Sequence, residues 1–174
     1  MAQKVPLLQL PQVAVRVPLN NRSSDQRQIL AMMEGVVTDH VNDPIVRETA
    51  VAILRGLGNN DIAGQIMAIT RWVRENVTYV RDPLEGEYIV TPDRMLNSWF
   101  VGGYMAGDCD DHVVLLNSLL GSIGVPTKAV GVKFGRSAEY NHVISGVSYN
   151  GRLQLVDPCA KSGNQQAYND LLII

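Results

Sequence analysis

Gly107-Asp108-Cys109-Asp110-Asp111-His112 runs directly into an apolar helical stretch, Val113 to Ile123. An aspartate at the cap position and carboxylates in the first turn mark the start of a helix. The cysteine therefore opens the helix, where unpartnered backbone N–H groups and the positive end of the dipole favour a thiolate. Val113, Leu116, Leu119, Leu120 and Ile123 form its expected buried face. Gly121 and Gly124 weaken its end, and Pro126 stops it. Asp108, Asp110 and Asp111 oppose a thiolate by their charge, so their side chains are expected to point away from the sulfur.

Downstream, three extended segments follow: Thr127–Phe134, His142–Tyr149 and Arg152–Val156. Asn150-Gly151 between the last two signals a type I′ hairpin. That turn sets residue 149 opposite 152 and therefore 144 opposite 157. Asp157 then lies one diagonal from His142 on the same face of the sheet, within reach of an imidazole. A thiol, an imidazole and a carboxylate supply a nucleophile, a base and an orienter.

Upstream the pattern is helical. One helix starts at Ser23 or Ser24 and passes through Ile29, Met32, Met33 and Val36. A second follows Asn42-Asp43-Pro44 and ends at the Gly56–Gly58 break. Asn59 to Asn76 reads as a third, with Ile62, Ile66, Ile69 and Val73 on one stripe and Trp72 beside it. Residues 77–80 turn extended, and 81–107 read as a long loop-rich segment holding a short helix at 92–96. Before all of these, residues 1–20 form an extended arm punctuated by Pro6, Pro11 and Pro18. Its alternating stretch, 12–17, reads as an edge strand or as a segment laid on a partner. Helices first and an antiparallel meander last give an α+β fold with the cysteine helix packed on the sheet.

The 174 residues suffice for one domain with a real core. Apolar residues at 46% and charged residues at 18% are ordinary for a globular chain. A formal charge of -2 gives no footprint for nucleic acid or an anionic membrane. No stretch approaches the roughly 18 apolar residues of a membrane span, and the N-terminus lacks the pattern of a secretory leader. The expected location is the cytoplasm of the producing cell. Two widely spaced cysteines, 109 and 159, are neither a disulfide framework nor a zinc motif, and Cys159 reads as a small buried filler near the site. A metal site from Asp108, Cys109, Asp111 and His112 is disfavoured, because contiguous residues at a helix start converge poorly on one ion. No metal or other cofactor is expected.

The chain resembles the transglutaminase-like superfamily of papain-like cysteine enzymes. The resemblance rests on Ile66–Val73 leading to Val77-Thr78-Tyr79, on Gly107–Asp111, on Leu119–Thr127, on Asn141-His142-Val143 and on Leu155–Pro158. It covers residues 59–160, leaving 1–22 as an arm, 23–58 as a helical extension and 161–174 as a tail. It implies a Cys109 thioester formed on protein or peptide amides, with His142 as base and Asp157 as its orienter. Two positions depart from the family pattern: Ile144 stands where a tryptophan is frequent, and Leu153 and Leu155 where an aromatic is common. The Asp-Asp-His variant of the motif also resembles small transglutaminase-like proteins of tailed bacteriophages and prophages, which implies incorporation in a virion. For the oxyanion, the backbone N–H of Cys109 is one donor, and Trp99, Tyr104 and Asn141 are candidates around the cleft. A structural or adaptor protein with an incidental triad is the competing class. It would dock assembly subunits through residues 1–20 and the apolar 171–174.

Overall fold

The computed structural model describes residues 14–17, 22–82, 87–134, 137, 139–160 and 168–174. The rest of the expected arm (1–13 and 18–21) and residues 161–167 of the tail lie outside the described residues. In chain order the elements begin with strand β1 (Ala14–Val17) and helices α1 (Arg22–His40), α2 (Pro44–Ile53) and α3 (Ile62–Asn76). Strands β2 (Val77–Tyr79) and β3 (Glu87–Val90), helix α4 (Pro92–Gly102) and strand β4 (Met105–Gly107) come next. Helix α5 (Cys109–Ser122) then leads into strands β5 (Thr127–Phe134), β6 (His142–Tyr149), β7 (Arg152–Val156) and β8 (Tyr168–Leu172).

The main sheet is antiparallel in the order β7-β6-β5-β8. β1 pairs antiparallel with β3, and β2 pairs parallel with β4. The hairpin between β6 and β7 has the expected register, Tyr149 opposite Arg152. Asn150 and Gly151 both adopt positive φ (52° and 70°), as a type I′ turn demands.

Helix α5 departs from the expected single buried face. Every residue from Asp110 to Leu120 is buried, because α5 packs against the four other helices as well as β5 and β6. Asn117 accepts from the Ser145 hydroxyl of β6, whereas the buried Ser118 hydroxyl has no partner among the described residues. The fully buried Leu115, Leu116, Leu119 and Leu120 each contribute about 1.5–3 kcal/mol. The connection from α5 reverses direction into β5, and β5 reverses again into β6. α5 and β6 therefore run the same way. Packing agrees: Val113 and Val114 cluster with Val143, and Leu116 and Leu119 with Val147. Hence Cys109, first residue of α5, and His142, first residue of β6, lie at the same end of the layers.

The described residues of the 81–107 segment (81, 82 and 87–107) hold more regular structure than the sequence suggests. α4 runs on to Gly102, well past residue 96, and closes on Gly103 at φ 68°, whose N–H bonds the Trp99 carbonyl at 2.7 Å. Its Trp99-Phe100-Val101 run is weakly helical by propensity. Burial of Met95 and Leu96, with Trp99 edge-on to Trp72 at 5.3 Å, overrides that preference. His40, in the last turn of α1, bonds the N-cap Asp43 at 2.6 Å and joins two helices there. In the tail, Leu172 of β8 is buried with Leu30 of α1 in this chain's own core, while Leu171, Ile173 and Ile174 stay exposed.

Candidate active site

Cys109 is half-buried at the first position of α5, and its thiol is not in a disulfide. A capping box holds that helix start. The Asp108 side chain accepts from the Asp110 amide, and the Asp111 carboxyl accepts from the Asp108 amide at 3.2 Å. The other Asp111 oxygen accepts from Val90 N–H at 2.7 Å, which fastens β3 to the cap. All three acidic residues thus turn an oxygen to a backbone amide, Asp110 Oδ1 accepting from the Asp111 amide at 2.7 Å. His112 Nδ1 pairs with the Asp108 carbonyl at 2.6 Å, and burial holds its pKa below the usual value, so it serves the cap as a neutral ring. Asp108, Asp110 and Asp111 have carboxylate oxygens within 4.8 Å of one another. Backbone amides engage both oxygens of Asp111 and one oxygen each of Asp108 and Asp110.

Burial pushes the Asp111 carboxyl up to about 8, against the opposing pull of the Val90 amide, and pushes Asp82 up to about 6. Carboxyls in the unfolded chain titrate near pH 4, so between about pH 4 and 8 the folded state holds more protons. Stability contributed by these groups is therefore present at the acid end and lost as pH rises through that window. In Asp111→Asn, the urea midpoint should fall at low pH, because one amide loses its acceptor, and should vary less between about pH 5 and 8.

His142 and Asp157 are brought together as the hairpin register requires. His142 Nε2 bonds Asp157 Oδ2 at 2.9 Å. Three further groups hold Asp157. The Cys159 amide donates to Oδ1 at 2.8 Å, the Tyr168 hydroxyl donates to Oδ2 at 3.0 Å, and Arg74 donates to the Asp157 backbone carbonyl from Nε and Nη2. Burial pushes the Asp157 carboxyl up, but the His142 bond and charge, the Cys159 amide and the Tyr168 hydroxyl outweigh it and hold the pKa below the usual range. Its contribution to stability is thus present at neutral pH and lost on acidification. Tyr168→Phe removes one donor to the ionised form. The pH at which Asp157 protonates should move upward, read as an upward shift of the acid limb in stability or activity.

Electrostatic coupling ties Cys109 to this corner. A Cys109 thiolate opposes ionisation of Tyr79, whose pKa is pushed up to about 12 chiefly by burial. Burial, then the charges of Asp157 and Cys109, push the Cys159 thiol far up, so Cys159 is an inert neighbour. Tyr79, His112, Asp157, Cys159 and Tyr168 line one end of an open cleft of about 1000 Å³ between α3 and β7. Trp99, Tyr104 and Asn141 are not on that cleft. Trp99 is packed on Trp72, Tyr104 is exposed between α4 and β4, and the Asn141 amide bonds the Val132 carbonyl just ahead of β6. Sequence reasoning missed Arg74 and Tyr168. Arg74 lies off the apolar stripe of α3, and Tyr168 lies in a tail with no periodic pattern, so neither carried a signal.

A helix-opening cysteine packed on an antiparallel sheet that carries a histidine–carboxylate pair defines the papain-like class of thiol folds. The sequence profile of the transglutaminase-like superfamily matches residues 47–158, and the chain belongs to that superfamily. Among curated proteins none matches significantly. Solved structures that share the fold include the following pair. One is a "putative protease" from Parabacteroides distasonis ATCC 8503, with TM-score 0.56, 18% identity, and coverage of 74% of this chain and 25% of the other. The second is a "putative cysteine protease" from Cytophaga hutchinsonii, with TM-score 0.54, 16% identity, and coverage of 77% and 47%. The chain thus spans less than half the length of either.

Proposed function

We propose that this protein is a cysteine enzyme that opens protein or peptide amide bonds through a Cys109 thioester, with hydrolysis as the default outcome. The observation that carries the reading is the bond from His142 Nε2 to an ionised Asp157. It fixes the ring proton on Nε2, the assignment the carboxylate acceptor dictates, and leaves the Nδ1 lone pair to act as base. Cys109 would attack the carbonyl as its proton passes to Nδ1, and the Cys109 amide at the helix start would face the oxyanion. The C–N bond then breaks, with the proton returned to the leaving amine. Water or an amine takes the acyl group from sulfur. The names given to the two structural neighbours support hydrolysis over transfer.

The test is selective alkylation of Cys109 by iodoacetamide at about pH 6, where an ordinary thiol is almost wholly protonated. Intact-mass spectrometry with glutamine peptides and a primary amine then separates hydrolysis from amine addition. Alkylation no faster than that of a free thiol would overturn the reading.

A further inference from the structure

Of the three residues in the chemistry above, Asp157 alone lines the cleft between α3 and β7, beside Cys159. Resting on the reading of Cys109 as an acyl-accepting nucleophile, we propose that this cleft binds the substrate as an extended peptide. The peptide would carry an acidic residue close to the reacting bond and an apolar residue farther along.

α3 lines the cleft from Ala63 to Glu75, about 18 Å at helical rise, which accommodates roughly five or six extended residues. The order of side chains along that wall sets the preference. Arg74 stands at the catalytic end, held by the Asp157 carbonyl. Arg71, one turn back, is exposed and has no hydrogen bond or ion pair among the described residues. Glu75 is the one carboxylate that α3 itself puts on this wall. Farther back lies Met67, an exposed thioether at 63%. Opposite, β7 contributes Gln154, Leu155 and Val156 in succession. Consecutive residues of a strand point to opposite faces, so three in a row along one wall means that β7 presents its backbone edge. β7 is the terminal strand of its sheet, and an edge of this kind recruits extended peptide by main-chain bonds.

Thr70 is 5% exposed and lines the cleft between Met67 and Arg71, yet its hydroxyl has no partner among the described residues.

Binding can be measured without turnover on the Cys109→Ala chain, by fluorescence anisotropy. The probes are labelled alanine-based heptapeptides with a central leucine and one glutamate two residues to either side, beside their lysine counterparts. A glutamate peptide should bind roughly five- to tenfold tighter than its lysine counterpart, less so in high salt. The preference should vanish in Arg71→Gln and reverse in Arg71→Glu, while Met67→Ser should weaken both peptides alike. Equal binding of the two charge types, a preference that survives in both Arg71 variants, or no binding of either peptide at about 1 mM would overturn the proposal. Iodoacetamide alkylation of the unmodified chain needs no cleft, so failure of the catalytic reading would show there and not in the anisotropy.

Discussion

In the His142→Ala chain, alkylation of Cys109 at about pH 6 should fall to that of an unassisted thiol, and amide turnover should drop by roughly 10²–10⁴-fold. The size follows from what the imidazole does. A free thiol ionises near pH 8.5, so at about pH 6 under one per cent is thiolate; an imidazole that accepts the proton changes that fraction and later protonates the leaving amine. Asp157 holds the ring from Nε2 at 2.9 Å, and alanine removes the partner of that bond as well. Cys159 is the internal control. Burial pushes its thiol upward, so it should remain unlabelled in both proteins, and peptide mapping of the labelled site will show this. Unchanged labelling in the variant would remove His142 from the chemistry.

Gly107→Ala should cost about 3 kcal/mol of folding stability and lower activity beyond what the unfolded fraction explains. An added Cβ would stand 2.3 Å from Asp111 Oδ2 and 2.5 Å from its Cβ, a backbone-anchored atom that cannot swing away. Relief requires moving the Asp111 carboxyl, which releases both the Val90 and the Asp108 amides and loosens the cap on which Cys109 sits. Gly102→Ala is the matched control, since nothing lies within 4 Å of its would-be Cβ, and its urea midpoint should hardly move. A tolerated Gly107→Ala would mean that the cap is looser than the packing implies.

The parts legible in the sequence were those with local signatures. Asn150-Gly151 and the alternation on either side gave β6 and β7 their bounds and register, and with them the His142–Asp157 pair. The N-cap aspartate placed Cys109 at a helix start for the same reason. What the sequence hid depends on partners distant in the chain. β4 spans Met105–Gly107 and exists because β2 lies beside it, too short a run to show a period. β8 owes its place to the free edge of β5, and only through it does Tyr168 reach Asp157. α5 reads as one-faced because serine, asparagine and aspartate interrupt its apolar run, yet Asp110, Asp111, Asn117 and Ser122 find partners inside. The purpose of Gly107 was equally hidden, because it lies in the space that Asp111 occupies.

The enclosure of α5 limits how such a protein can diverge. A helix without a free side feels nearly every change of volume along its length, and its amides should be among the slowest to exchange with solvent. The sulfur is thereby mounted on the least adaptable part of the molecule. Novelty in what is recognised must then be written on the outward positions of α3 and β7, which descendants can vary while the reacting centre is inherited intact.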